Sequence, residues 1–441
     1  MMRVLVVGAG GREHALIWKI HQSELVSEIF CAPGGPGIEP LASTVKLDPS
    51  NIVELADFAH DLKMDMTVVG PEVPLSLGIV DEFARRGLLC FGPTQAAAEI
   101  VASKVFAKEF MARHAIPTAR HRTCISLEQA EEAIRSGEFR PPFVIKADGL
   151  AAGKGVVLCR DEREALQTAS AILVGKRFGA AGNRIVVEEC LEGVEVSMLA
   201  FADGEHALPL ASAQDFKRAL DGDRGPNTGG MGSISPSAHL TAEDQREVLA
   251  KVLLPTIRGL AAEGRPYRGI LYAGLMLTKD GPKALEFNCR FGDPETQVIL
   301  PRMESDIVPL LFASAEGKLA GQKAEWRQAA CACVVLASGG YPDRYEKGKR
   351  IEGLEEAGQP TGVIVFHAGT GRDGNGSLVT AGGRVLDVVA WAPSLRKALE
   401  KAYRAAALIR FEGMQYRKDI GLAALELIER RETARPEEPG A

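Results

Sequence analysis

Apolar positions in the first hundred residues fall into short continuous runs: VLVVG from Val4, EIFCAPGG, MTVVGPE and LLCFGPT. Between them, from about Arg12 to His21 and from about Ile52 to Leu62, apolar residues recur at helical spacing. Buried runs closed by Gly and Pro, alternating with amphipathic helices, predict a parallel α/β unit of doubly wound type. Ser103 then reads as the N-cap of a helix, KVFAKEFMARH, that stops before Pro117. FVIKADGLAAGKGVVL predicts two strands around a glycine-rich loop, and RIVVEECLEGVEVSMLAFADGEHALPLASAQDF a succession of strands. A long amphipathic helix over about 242–263 precedes the hairpin ILYAGLMLTKDGPKALEFNCR, so the middle region is α+β. From about Ala330 the pattern shortens to CACVVLAS, GVIVFHAG and RVLDVVAW, and a helix from Ser394 to Ile409 closes a small α/β domain. The charged, Pro-rich end RRETARPEEPGA reads as a disordered tail.

Within the hairpin, Leu285, Phe287, Cys289 and Phe291 alternate with Glu286, Asn288 and Arg290. Strand geometry puts the three polar side chains on one face, with Arg290 continuing the row at roughly 7 Å. A carboxylate and an amide carbonyl side by side are hard oxygen ligands suited to Mg²⁺. A guanidinium beside them suits a phosphoryl group in transfer.

Composition excludes more than it selects. The 441 residues are 46% hydrophobic and 25% charged, with a net charge of -6 and no basic block, which argues against a nucleic-acid partner. No apolar run is long enough to cross a bilayer, and the N-terminus lacks a signal-peptide cleavage pattern. Eight scattered cysteines, embedded in apolar runs without C-x-x-C, predict buried thiols in a reducing cytoplasm.

Four further segments carry candidate chemistry. Gly8-Ala9-Gly10-Gly11-Arg12-Glu13 follows a strand and opens a helix, a place whose N–H groups favour anions. It fails as a dinucleotide fingerprint, because Glu13 stands at the third glycine and no acid follows the second strand. A smaller phosphate helped by Arg12 fits better, and a tight turn without ligand is the alternative. DGLAAGKG (148–155) resembles a Walker A loop but lacks its first Gly and its Ser/Thr, and a strand follows it. Its N–H groups and Lys154 can still fold over phosphates as a lid, and Lys146, which interrupts the apolar run FVIKA, is expected to face the site. The strand ending at Glu188-Glu189-Cys190-Leu191 offers backbone groups to an adenine edge, and Glu195 could hold ribose hydroxyls. Asp215, before the glycine-rich stretch ALDGDRGP and NTGGMG, can accept hydrogen bonds from a substrate ammonium.

GGREHA at Gly10, VGPE at Val69, FGPT at Phe91, IKADGLAAGKGV at Ile145, PNTGGMG at Pro226 and EFNCRFGDPETQ at Glu286 occur in this order. Together they resemble the phosphoribosylamine–glycine ligases (glycinamide ribonucleotide synthetases) of the ATP-grasp superfamily, over nearly the whole chain. The resemblance implies a Rossmann-like N-terminal domain over 1–102 and an ATP-grasp core of two lobes over 103–326, the mobile lobe spanning about 120–192. A small C-terminal α/β domain over 327–430 and a tail over 431–441 complete the division.

The resemblance also implies an activity: joining glycine to 5-phosphoribosylamine with ATP and Mg²⁺ or Mn²⁺, in the cytoplasm, in purine synthesis. By motif match, Lys104, Lys146, Gly149, Gly153, Lys154 and Gly155 would contact the phosphates, Glu188, Glu189 and Leu191 the adenine, and Glu195 the ribose. Glu286 and Asn288 would bind metal. Many such enzymes carry another metal carboxylate on the preceding strand, where counting back over the hairpin reaches Gly274, so the number of metals stays open. Arg290 and Asp215 take the catalytic roles. Gly10, Gly11, Arg12, Glu13, Pro71 and Glu72 would hold one substrate end, with Lys217, Asn227, Thr228, Gly229, Gly230, Asp293, Pro294 and Glu295 around the rest. Monomer and dimer are both open, as is a transient contact with the upstream amidotransferase; no membrane or nucleic-acid partner is implied. A second ATP-grasp activity, another carboxylate–amine ligase or a bicarbonate-using carboxylase of purine synthesis, is the alternative, and a nicotinamide dehydrogenase is disfavoured by Glu13.

Overall fold

The computed structural model describes residues 1–149 and 155–433. Its first unit is a five-stranded parallel sheet, in the spatial order Ser43–Thr44, Val26–Pro33, Met2–Gly8, Met66–Val69, Cys90–Phe91. Val4 to Val7 are completely buried at its centre, as a continuous apolar run in a parallel sheet requires. The short edge strand Ser43–Thr44 carries no hydrophobic run and was not expected. The strand order reverses beside Met2–Gly8, and Gly8 lies opposite Pro33 while Val7 lies opposite Val69. The turns GAGG, PGG and GPE therefore meet at the carboxyl ends of three adjacent strands, the usual ligand crevice of such sheets.

The middle region makes two sheets. Strands His121–Cys124, Ile185–Glu189, Phe143–Ala147 and Val156–Cys159 form, in that order, an antiparallel sheet backed by helices Leu127–Arg135 and Glu162–Leu173. Phe143, Ile145, Ala169 and Val187 belong to an apolar core of its own. A larger antiparallel sheet runs Ala207–Pro209, Val194–Asp203, Arg268–Thr278, Gly281–Asn288. It shares one core with the N-terminal unit, in which Leu5 and Val7 join Leu271, Leu275 and Phe287. Ser103 caps the helix Lys104–Arg113 by accepting from Phe106 N–H. The helix expected over 242–263 runs as Ala242–Val248, a π turn Leu249–Leu253, and Leu254–Ala262. Pro255 explains the step, since it has no N–H to continue the α ladder.

The C-terminal sheet has the order Gln214–Asp215, Gly232–Ser235, Ala330–Ala337, Arg384–Ala392, Val363–His367. Its first two strands come from the polar, glycine-rich segment of the middle region. Gly232 permits this, because a Cβ there would stand 2.6 Å from Cys333 O. Ser394 caps the closing helix Leu395–Ala406. The end of the chain departs from expectation: residues 430–433 finish the helix Leu422–Thr433 rather than a tail, with Ala424, Leu425 and Ile428 packed on the C-terminal core. Residues 434–441, the rest of the expected tail, lie outside the described residues. All eight cysteines are free, and seven are buried. Among the described residues no helix is long and apolar enough to cross a membrane.

The first and last units are joined at His14, whose Nδ1 accepts from His367 N–H at 2.9 Å while its ring meets Phe366 edge-on. Burial, with His367 adding, holds His14 down to about 3, and burial, with Arg372 adding, holds His367 down to about 4. The unfolded chain therefore binds more protons than the native one below the ordinary histidine value of 6.5. Their contribution to stability is complete above that value and is lost as pH falls toward about 4. The expected result is a melting temperature that drops over this window, with a shallower drop in His14→Gln, whose amide oxygen can still accept from His367 N–H. Equal slopes in the two proteins would assign acid sensitivity to other groups.

Candidate active site

One centre lies between the two middle sheets. Lys146 and Glu188 stand on neighbouring strands of the smaller sheet, where Lys146 pairs with Val186 and Glu188 with Val144. Matching parity puts both side chains on one face. Lys146 Nζ lies 3.0 Å from Glu188 Oε2 and donates to Leu285 O, also at 3.0 Å. Lys108, buried, reaches the same oxygen at 3.2 Å and donates to Thr118 Oγ1 at 2.7 Å. Burial pulls Lys108 down to about 8 against the attraction of Glu188. Glu188 Oε1 is buried without a partner, an acceptor that calls for a donor such as an exocyclic amine. Glu189 instead turns to the sheet edge and accepts from Arg120 N–H and Nε at 3.0 and 2.7 Å. Lys104 Nζ donates to Gly149 O at 2.9 Å. Gly153 and Lys154, expected over the phosphates, lie outside the described residues; Gly155 is buried at the start of the returning strand.

Glu286 projects from the hairpin strand Gly281–Asn288, opposite Gly274, while Asn288 lies opposite Tyr272. The counted position is thus the paired one, and Gly274 has no side chain to offer a metal. Burial works to raise the Glu286 carboxyl, but Lys217, Lys146, Lys104 and Arg290 outweigh it and hold Glu286 below the ordinary glutamate range. A carboxylate kept ionised beside an amide oxygen fits a hard divalent cation. Among the described residues no cluster of three or more acids, histidines or cysteines could hold one. An ion here would take Glu286 and Asn288 and complete its shell from phosphate oxygens and water, as Mg²⁺ commonly does. Arg290 does not continue the strand row as expected: the strand ends at Asn288, and Arg290 Nε pairs with Glu72 Oε2 at 3.0 Å.

Beside this centre, Asp215 sits on the short strand Gln214–Asp215, and Lys217 makes an ion pair with Glu195. Glu195 and Lys217, expected on different substrates, are thus partners. Burial raises the Asp215 carboxyl to about 7, with Glu295 and Glu195 adding and Lys217 opposing. Glu295 is buried and accepts from Ser197 Oγ at 3.2 Å and Tyr272 OH at 2.9 Å. Acidic groups gathered here favour a small cation. Thr228 Oγ1 donates to Lys217 O at 2.8 Å and accepts from Gly230 N–H at 2.9 Å, while Asn227 is exposed.

The third feature is a cavity of about 400 Å³ at the carboxyl ends of the parallel strands, lined by Gly8, Gly10, Glu13, Pro33, Ser50 and Pro71, among others. Glu13 explains why the fingerprint fails. Its Oε2 accepts from Gly10 N–H at 2.6 Å, where a pyrophosphate oxygen would bind, and its side chain fills the space that a Cβ at Gly8 or Gly70 would need. Arg12 is engaged elsewhere: its Nε pairs with Glu13 Oε1 at 2.6 Å, Nη1 points to Phe291 O, and it does not line the cavity. Nor do Gly11, packed on Asp387, or Glu72, paired with Arg290. Sequence reasoning missed Lys108, Ser197 and Tyr272. Only Lys108 left a signal, one helical turn after Lys104.

Models of phosphoribosylglycinamide synthetase match the chain in three parts: the N domain over 2–100, the ATP-grasp (A) domain over 102–296 and the C domain over 331–423. A phosphoribosylamine–glycine ligase of Vibrio vulnificus is 50% identical over 427 residues, 96% of this chain and 99% of that protein. One from Caldanaerobacter subterraneus is 49% identical over 419 residues, 95% and 99% of the two chains. The crystal structure of the Thermotoga maritima phosphoribosylamine–glycine ligase superposes with a TM-score of 0.82 at 35% identity, covering 95% of this chain and 99% of that one. A Campylobacter jejuni biotin carboxylase shares the fold alone, with a TM-score of 0.73 at 15% identity over 97% of this chain and 96% of that one.

Proposed function

The chain belongs to the phosphoribosylglycinamide synthetase family and is an ATP-dependent ligase acting on phosphoribosylamine and glycine, and we propose that it joins them through glycyl phosphate. A glycine carboxylate oxygen would attack the γ-phosphorus as the bond to ADP breaks. The amine nitrogen of phosphoribosylamine would then attack the acyl carbon; phosphate leaves, the nitrogen loses a proton, and glycinamide ribonucleotide remains.

The observation that carries this reading is Glu286, kept ionised by four cations, one of which, Lys217, also acts on Asp215 in its acidic corner. Asp215 and Glu295 would hold the glycine ammonium, whose charge draws Asp215 back to its carboxylate form. Lys104 and Lys146 would take phosphate oxygens, and Glu188 Oε1 suits the adenine amine. Glu286 and Asn288 would hold Mg²⁺ or Mn²⁺, which when bound neutralises phosphate charge. Arg290, kept charged by Glu72, would stabilise the transferring phosphoryl group. The cavity at Gly10 and Pro71 would take the phosphoribosyl end. Site of action in the cytoplasm, and delivery of the labile amine by the upstream amidotransferase, are consistent with this chemistry.

ADP release, with glycine and freshly generated phosphoribosylamine omitted in turn, tests the proposal. Dependence on both is expected. Bicarbonate-dependent release without glycine would favour a carboxylase.

A further inference from the structure

The strand Arg384–Ala392 carries a bulge. Ala337 pairs with Arg384 and Leu336 with Leu386, leaving Val385 as the extra residue. A bulge resets the alternation of side chains along a strand. Arg384 and Asp387, three residues apart, accordingly act on the same stretch of chain. Arg384 Nη2 donates to Asp293 Oδ2 at 3.0 Å, and Nη1 donates to Asp293 O at 3.0 Å and to Gly229 O at 2.8 Å. Asp387 Oδ2 accepts from Gln297 Nε2 at 2.9 Å, and the same amide nitrogen donates to Asp293 Oδ1 at 2.8 Å. Gly229 N–H donates to Tyr341 OH at 3.0 Å. Gly11 must be glycine, since a Cβ there would stand 1.8 Å from Asp387 Oδ2. The C-terminal domain thus grips three segments from other parts of the chain.

We infer that Arg384 is a positioning residue for the reaction: it locks the loop at Gly229 to the loop at Asp293, so that the C-terminal domain completes the substrate site. This rests on the reading of those loops as substrate loops. The two loops already touch at Gly230, where a Cβ would lie 2.4 Å from Pro294 Cδ, but that packing sets no register along the chain. Three oxygens on two loops, met by one planar fork, do set it. A lysine ammonium is a point charge and cannot hold the same three oxygens with fixed geometry. The surroundings keep the fork charged, since Asp293, with Tyr341, Asp387 and Glu295 adding, outweighs the effect of burial on Arg384.

The test compares Arg384→Ala, Arg384→Lys and Tyr341→Phe with the wild type. Arg384→Ala should raise KM for glycine and phosphoribosylamine about tenfold or more, the size of a lost charge-assisted contact. MgADP affinity, which belongs to the other end of the site, should stay within about twofold of the wild type. Arg384→Lys should recover part of the loss, Tyr341→Phe should show a smaller rise in the same two constants, and amide exchange at 228–231 should quicken in all three. Unchanged KM values in Arg384→Ala, or an equal loss of MgADP affinity in every variant, would overturn the inference. If Arg384→Ala does not fold, the lysine and phenylalanine variants decide by the same criteria. Wild-type enzyme that released no ADP with glycine would instead overturn the proposed activity.

Discussion

Glu286→Ala is expected to lower kcat/KM by at least about a hundredfold, ~3 kcal/mol of transition-state stabilisation, while the protein melts close to the wild-type temperature. The two halves of this result have separate causes. Turnover falls because Glu286 is the only carboxylate on the hairpin face that carries the proposed metal site: Asn288 is neutral, and Gly274 opposite has no side chain. Folding survives because each cation around Glu286 keeps its own partner. Lys146 retains Glu188, Lys217 retains Glu195, Arg290 retains Glu72, and Lys104 retains the carbonyl of Gly149. Steady-state rates over a Mg²⁺ titration, with Mn²⁺ binding followed by electron paramagnetic resonance, check both the rate and the ion. Wild-type activity at limiting Mg²⁺ would remove Glu286 from the metal site.

Glu188→Gln should cost about 3 kcal/mol of stability at neutral pH, the usual penalty for removing one partner from a buried ion pair, and should sharply weaken MgADP binding. Two lysine nitrogens converge on Glu188 Oε2, at 3.0 and 3.2 Å, and both lysines are buried. With the carboxylate gone, burial and Lys146 act on Lys108 against Glu189 alone, and its value falls further below about 8. The pH dependence has a definite sign. A lysine held below its ordinary 10.5 binds fewer protons in the native state than in the unfolded one, so its contribution improves as pH rises toward that value. The deficit of Glu188→Gln should therefore narrow as pH rises toward about 8, where wild-type Lys108 loses its proton too, and stay level above that value. Melting curves across that range, with calorimetric titration of MgADP, measure it. A variant as stable as the wild type at pH ~7, with unaltered MgADP affinity, would show that the lysines find their compensation elsewhere.

Much of the scaffold was legible from local pattern. The apolar runs at Val4, Cys31 and Val68 are buried strands, Ser103 caps the helix it was assigned, and Gly274 does lie across from Glu286. Each depends on residues a few positions apart, where strand or helix periodicity acts directly. Arg290 shows where this ends. Extrapolating the alternation past Asn288 kept it in the row, but the strand stops, and a guanidinium that can reach Glu72 leaves the row for the carboxylate.

The chain by itself determined which residue types could do chemistry and which faces would be buried, because both follow from side-chain identity and from periods of two and 3.6. Tertiary structure alone decided how the charges were shared out. Arg12 went to Glu13 and away from the cavity, and Lys217 went to Glu195. Strands 214–215 and 232–235 went to a sheet completed almost 160 residues later, at Ala392. Arg384 was brought to Asp293 across 91 residues and to Gly229 across 155. Ion pairs of this kind have no period along the chain. They form wherever folding leaves two charges in a place with too little water to screen them, and that place exists only once the sheets have packed.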